Sequence, residues 1–383
     1  MRVLVAPDSF KGSLDPNQVA AALADGWRRG RPLDELRLIP LADGGEGTLE
    51  AIKASGSDWL ELPVHARDPL GRTVRARFLR RGDEGIVEMA VASGLSRLAV
   101  EERDPLAAST LGTGQVIAAA IGLGVRRLTV GLGGSATTDG GAGLLVALGA
   151  RLFDGDGADL AEGGGALAEL ARVDLDGLAP ILGEVQLTIA SDVTNPLLGP
   201  QGAAATYGPQ KGADPKQVAQ LEANLAGYAS LVEEAARRLV RDEPGAGAAG
   251  GTGFALLAIA DRFASFEVRP GVEVVMALAG FDAALAETDI VLTGEGRIDE
   301  QTPFGKTAFG VARRARVADV RCICFGGGAT PEGIAALAEL GAIVMPTTEQ
   351  PQTVKAAMAA GAAPLVRAAE RAARLVSLLD PHL

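Results

Sequence analysis

Six apolar runs in this chain end in polar loops of one style, and a helical pattern follows most of them. The loops are APDSFKGS (6–13), LADGGEGT (41–48), GLGGSATTDGG (131–141), ASDVTNPL (190–197), TGEGRIDEQT (293–302) and FGGGAT (325–330). Nearly every one sets glycine beside an acid or a hydroxyl. One such loop is an ordinary Gly-Asp turn. Its recurrence at the ends of successive β-rich runs points elsewhere. In an open parallel sheet, the loops beyond the strands' carboxyl ends and the starts of the following helices face one crevice. The pattern therefore predicts an α/β protein with mostly parallel strands and an active site at that edge.

Local punctuation supports this order. After a strand over Arg2–Ala6, Asp15 is placed to cap a helix with Pro16 at its first position and Gln18 three residues on, and Gly30 closes it. A strand over Leu36–Pro40 and a helix over Glu46–Ser55 follow. Residues 58–88 alternate around the turn Asp68-Pro69-Leu70-Gly71, which predicts antiparallel strands and a domain boundary near residue 75. Further on come a strand over Arg127–Gly131, a helix over Gly140–Leu148 and a strand over Val185–Ala190. Asp214 and Pro215 open a long helix to about Arg241, and Gly245–Gly253 reads as a flexible segment suited to a hinge or a phosphate cradle. Strands at 289–293, 321–325 and 342–346, with helices at 305–316 and 331–340, complete the sheet begun at residue 1. The expected division is a discontinuous Rossmann-like domain of residues 1–75 and 285–383, and a second α/β domain of residues 76–284 carrying the Gly-rich phosphate loops.

Composition removes several function classes. The chain has 36 Lys and Arg against 48 Asp and Glu, a net charge of −12, which argues against nucleic acid and anionic lipid as partners. The uncharged stretch Pro105–Val125 is long enough to span a bilayer. It contains Ser109, Thr110, Thr113, Gln115 and four glycines, so a buried loop and helix is expected, and no membrane span. The only histidines are His65 and His382, and no G-x-S-x-G occurs, which disfavours a serine-hydrolase triad and a His-ligated zinc. Cys322 and Cys324 stand two apart on one apolar run, poor geometry for a disulfide. With no secretory pattern in the first residues, the expected location is cytoplasmic.

Glycine-rich backbone that cradles phosphates, carboxylates that hold Mg²⁺ or take a proton, and Lys or Arg that neutralises anionic oxygens are together the parts of phosphoryl transfer. The alternative is an NAD-dependent oxidoreductase acting on a small hydroxy acid. GLGGSA matches G-x-G-x-x-A, with Asp154 and Asp156 about twenty residues on, after the apolar run Ala150–Phe153. Against it, Ser135–Gly141 interpose seven residues where the dinucleotide fingerprint runs straight into its helix. Gly305-Lys306-Thr307 looks like the end of a P-loop, but Glu300 stands where its first glycine belongs, which leaves Lys306 as a phosphate contact or a solvated lysine at a helix start.

The motifs APDSFKGSL, ADGGEGT, GTG (112–114), GGSATTDGG, DVTNPLLG, YGPQKGA (207–213), GAGAAGGTG and TGEGRIDEQT, in this order across nearly the whole chain, resemble the class I glycerate kinases. The resemblance implies ATP-dependent phosphorylation of D-glycerate with 2-phosphoglycerate as product. It also implies two α/β domains flanking a cleft, the second inserted into the first. Departures are local: Thr138 stands where Asn is common, Leu41 where Met is, and Ala308 where Pro is expected.

Roles follow from position and from that resemblance. Asp192, held in the crevice by the turn at Asn195-Pro196, is the expected general base; the rival reading is a turn cap. Lys11 suits the glycerate carboxylate or the transferring phosphoryl group, against a plain surface lysine. Asp8, Ser9, Asp43, Gly44 and Gly45 are expected at the substrate; Asp8, Asp43 and Glu46 suit either substrate hydroxyls or Mg²⁺, and Asp43 and Glu46 equally suit helix capping. Glu295 and Asp299 are candidate Mg²⁺ ligands with Arg297 on an anionic group, or else the three form a salt-bridged loop. Gly133, Gly134, Ser135, Ala136 and Thr137 form the expected nucleotide-phosphate loop, with Lys211 as a second cation. Asp139 faces metal or caps the helix after it.

Overall fold

The structure is a computed structural model describing residues 1–56, 58–303 and 306–379. Its strands are β1 (Arg2–Val5), β2 (Glu35–Leu38), β3 (Leu60–Arg67), β4 (Thr73–Arg81), β5 (Glu84–Glu88), β6 (Arg127–Gly131), β7 (Arg151–Asp154), β8 (Leu170–Asp174), β9 (Gln186–Ala190), β10 (Ser265–Arg269), β11 (Ile290–Ile298), β12 (Arg321–Ala329) and β13 (Ile343–Pro346). The chain forms two compact units, one of Met1–Asp43, Gly47–Asp58 and Pro270–Leu383, the other of Gly44–Glu46 and Trp59–Arg269. The helix start expected at Gly305, and His382, lie outside the described residues.

The first unit is built on a parallel sheet in the order β13-β12-β11-β1-β2. The helix Pro16–Gly30 has the expected capping box: Asp15 Oδ1 accepts from Gln18 N at 2.8 Å and Gln18 Oε1 accepts from Asp15 N at 3.0 Å. Its buried stripe of Val19, Leu23 and Trp27 meets Leu365, Ala369 and Ala373 of the helix Ala363–Leu379 in the core that also takes Val3, Val5, Leu292 and Phe325. The two helices approach closely at Gly26, where an added Cβ would stand 2.1 Å from the Val366 carbonyl oxygen.

The second unit holds a mixed sheet in the order β10-β9-β6-β5-β4-β3, with parallel pairs from β10 to β5 and antiparallel pairs from β5 to β3. The antiparallel segment stands where the alternation placed it, and Asp68 Oδ1 closes its turn by accepting from Leu70 N and Arg72 N, both at 2.9 Å. β3 and β4 pair from Leu60↔Arg80 to Arg67↔Thr73, so residues 59–75 group with this unit, where the sequence reading placed them in the first domain. At the other end, Val272 and Met276 pack at Gly310, so residues 270–284 group with the first unit.

Four further expectations change. The run at 150–153 becomes β7, which pairs with β8, antiparallel, in a separate two-stranded sheet. Asp154 and Asp156 therefore do not follow a strand neighbouring β6, and the dinucleotide arrangement is not formed. Gly245–Gly253 is buried packing and not a loose hinge, because an added Cβ would sit 1.9 Å from Thr137 O at Gly250 and 2.3 Å from Pro196 O at Gly247. TGEGRI and FGGGA are strand, since their small residues let the β11–β12 ladder run on to Ile298↔Ala329. The helix opened by Asp214 ends at Ala236, because Glu233 turns back to accept from Val240 N and Arg241 N. Among the described residues, no helix is long and apolar enough to cross a membrane.

Candidate active site

All five strands of the first sheet are parallel, so their carboxyl ends meet at one edge, where a cavity of about 660 Å³ opens. Asp8, Ser9, Lys11 and Asp43 reach it from the ends of β1 and β2, Glu295 and Arg297 from β11, and Thr330 from the end of β12. Phe10, Val354, Met358 and Leu365 form its apolar wall.

The charges in this cavity are interlocked. Lys11 Nζ lies 3.0 Å from Asp43 Oδ2, with the lysine side chain 81% exposed. An exposed pair of this kind adds little stability, but it holds a cation at the mouth of the cavity. The Asp43 charge is also the main cause of a raised Lys11 pKa, so the ammonium stays charged. Asp8 is buried, accepting from Ser9 N and from Thr307 Oγ1 at 2.5 Å. Burial, and then the Asp43 charge, push its carboxyl up to about 6. Glu295 is raised to about 7, chiefly by burial, with Asp8 adding to the shift while Lys306 and Thr302 oppose it. A buried carboxylate poised near neutrality is suited to proton transfer.

Lys306 changes the reading of the acidic pair. Its Nζ lies 2.7 Å from Asp299 Oδ1, 3.5 Å from Glu295 Oε1 and 2.9 Å from Arg297 O, and Arg297 Nε lies 3.1 Å from Asp299 Oδ2. Against its burial, these contacts hold the Asp299 pKa down. Glu295 and Asp299 thus share the Lys306 ammonium, a partner outside the Glu295, Arg297 and Asp299 loop weighed from the sequence, while Arg297 pairs with Asp299; no group of three His, Cys, Asp or Glu able to hold a metal occurs among the described residues. The sequence reading weighed Lys306 as a phosphate contact or a solvated lysine, and gave no role to Thr302 and Thr307, whose hydroxyls donate to Glu295 and Asp8. Nothing local in the sequence marks those two threonines.

In the second unit, the loop after β6 is pinned on several sides. Ala136 N donates to Ser93 O at 2.9 Å and Leu95 N to Gly134 O at 2.8 Å. An added Cβ would fall 2.4 Å from Gly44 O at Gly131, and 2.3 Å from Gly45 Cα at Gly133, so Gly44 and Gly45 lie against this loop. Gly134 is exposed and takes a left-handed φ of 74°, a conformation glycine adopts freely. Thr137 is fully buried, and Ser135 nearly so. Asp139 is buried too, accepting from Thr110 N and Oγ1, Gly141 N and Gly143 N at 2.8–3.2 Å. Its carboxylate ties the Thr110 backbone and hydroxyl to the backbone that leads into the helix Ala142–Ala147. Burial raises its pKa, and those hydrogen bonds oppose the shift.

Lys211 is 2% exposed and lies behind this loop, donating to Ser135 Oγ at 2.9 Å and Thr137 O at 2.6 Å. Burial pushes its ammonium down to about 7, with Asp139 pulling the other way. Asp192 is exposed in the loop that leaves the carboxyl end of β9, beside β6. That loop is strapped: Tyr207 Oη donates to Asn195 Oδ1 at 2.9 Å, Asn195 Nδ2 to Gln201 O at 2.7 Å and Gly247 N to Asn195 O at 2.9 Å. Asp8, Ser9, Lys11, Asp43 and Arg297 share the cavity of the first unit; Gly44, Gly45, Gly133, Gly134, Ser135, Ala136, Thr137, Asp192 and Lys211 belong to the second.

Comparison with known proteins gives a consistent answer. The glycerate kinase family model matches residues 3–377. A glycerate kinase of Bacillus subtilis (strain 168) is 44% identical over 330 residues, 85% of each chain. A glycerate 2-kinase of Escherichia coli (strain K12) is 42% identical over 318 residues, 82% of each. The crystal structure of a putative glycerate kinase 2 from Salmonella typhimurium LT2 is similar with a TM-score of 0.83 and 39% identity, covering 100% of this chain and 99% of that one. By its motifs, its fold and these relatives, the chain belongs to the glycerate kinase family.

Proposed function

We propose that this protein transfers the terminal phosphoryl group of ATP to D-glycerate, forming 2-phosphoglycerate. The observation that carries the reading is the charged end of the first unit's cavity, where an exposed, carboxylate-held Lys11 stands with Asp8 and Arg297 at the carboxyl edge of a parallel sheet. A three-carbon hydroxy acid needs a cation for its carboxylate and acceptors for its hydroxyls. Lys11 and Arg297 supply the first, and Asp8, Ser9 and Asp43 the second. The Gly133–Thr137 loop offers backbone N–H groups to the nucleotide phosphates. Asp192 is the proposed general base, an exposed carboxylate on a braced loop, taking the proton of the attacking hydroxyl as the bond to phosphorus forms. Asp8 is the second candidate for that role, favoured by its pKa of about 6.

The described residues do not build a metal cage of their own, and the pair Glu295 and Asp299 already shares Lys306. Mg²⁺ therefore enters the proposal with the nucleotide, as part of the substrate MgATP. A cytoplasmic location accords with the two free, buried cysteines, and the net charge of −12 with a small-molecule substrate and no nucleic-acid partner.

The test is ADP release from MgATP with and without D-glycerate, followed by phosphorus NMR of the product. Release that depends on D-glycerate and yields the 2-isomer is expected. Absence of glycerate-dependent release, or hydride transfer with a nicotinamide cofactor in its place, would overturn the reading; the 3-isomer would overturn only the position of transfer.

A further inference from the structure

Burying an ammonium is costly unless its charge serves a partner, and Lys211 is among the largest fully buried side chains of the molecule. Its two hydrogen bonds both go to the loop after β6, to Ser135 Oγ and Thr137 O. The neighbouring buried acid, Asp139, spends its carboxylate on Thr110, Gly141 and Gly143, so Lys211 is committed to the loop and not to an ion pair there. An ammonium has donors and no lone pair. In its charged form Lys211 donates to Ser135 Oγ, which leaves the hydroxyl proton of Ser135 free to point elsewhere. Ser135 keeps 8% of its surface exposed, next to the exposed Gly134. In the same loop, the buried Thr137 Oγ1 and Thr138 Oγ1 have no hydrogen-bond partner.

We propose that Lys211 is a positioning residue for nucleotide phosphate, holding Ser135 from behind so that the serine hydroxyl donates outward to an anionic phosphoryl oxygen. This rests on the reading of Gly133–Thr137 as the phosphate loop. Lys211 touches no substrate; it acts through Ser135, lending the loop positive charge from its buried side. The sequence reading had Lys211 as a second candidate cation for the nucleotide; at 2% exposed, it reaches Ser135 and Thr137 from the buried side of the loop.

The test compares Lys211→Met, Ser135→Ala and the double variant, by steady-state kinetics and by calorimetric titration with MgATP. Each single variant is expected to weaken MgATP binding about 10-fold or more, since hydrogen bonds to charged groups are the strong ones, while KM for glycerate stays within about 2-fold. The double variant is expected to be no worse than the poorer single one, because both changes remove one relay. Unchanged MgATP affinity in a folded Lys211→Met variant, or penalties that multiply in the double variant, would overturn the proposal. If Lys211→Met fails to fold by circular dichroism, Ser135→Ala decides, and wild-type MgATP affinity there overturns it. Loss of MgATP binding in a protein that phosphorylates no glycerate would support this proposal while removing the substrate reading.

Discussion

The Thr307 hydroxyl donates to Asp8 Oδ2 at 2.5 Å, joining residues 299 positions apart in the chain. That bond stabilises the charged form of the carboxyl, opposing the burial and the Asp43 charge that together still leave it raised to about 6. Thr307→Val keeps the side-chain shape and removes the donor, so Asp8 should hold its proton to still higher pH. A hydrogen bond to a charged group contributes about 1.5–3 kcal/mol, and one pKa unit is about 1.4 kcal/mol. The acid limb of kcat/KM against pH should therefore move up by about one unit, with activity recovering above it. An unmoved limb would mean that ionised Asp8 is not needed for turnover.

Asp192→Asn keeps the shape of the side chain and removes a base. Removing a general base typically costs about 10² to 10⁴ in rate, so kcat should fall by that factor with the melting temperature and MgATP affinity nearly unchanged. A fall in melting temperature with kcat preserved would make Asp192 a turn cap and pass the role to Asp8.

Lys306→Met leaves Asp299 with Arg297 as its remaining cation and takes the ammonium away from Glu295. The protein should lose about 1–3 kcal/mol of stability at neutral pH, the usual cost of stranding a buried hydrogen-bonded charge. The sign follows from Asp299, whose pKa is held below its ordinary value of 3.8. Such a group stabilises the fold above its unfolded pKa and loses that contribution as pH falls through the folded one. The gap between wild-type and variant melting temperatures should therefore narrow in acid, and a gap that widens would refute the assignment.

Gly250→Ala combines two faults, a left-handed φ of 68° and a Cβ 1.9 Å from Thr137 O. The conformation alone costs a non-glycine residue about 1–3 kcal/mol, and the collision displaces the loop that Lys211 holds. Reduced melting temperature together with weakened MgATP binding is expected in calorimetry. Undisturbed nucleotide affinity in a folded variant would separate the glycine segment from the phosphate loop.

What the sequence determined was local. The Asp15-Pro16-Gln18 cap, the Asp68 turn and the strand at 127–131 follow from neighbours a few residues apart, and they stand where the pattern placed them. The family was legible for a related reason: its motifs are short runs in fixed order, and order survives in a linear string. Tertiary structure decided which loops are loops at all, because TGEGRI and FGGGA become strand only by pairing with each other. It also decided that the 150–153 run would pair with β8, and that Gly245–Gly253 would be packing, through a collision distance to Thr137 that no local rule contains. The charges were the least legible. Whether Lys306 sits free or bridges Glu295 and Asp299, and whether Lys211 faces solvent or the buried side of a loop, depends on desolvation and on partners brought together by folding. Those are properties of the three-dimensional surroundings, which a residue's type and spacing do not encode.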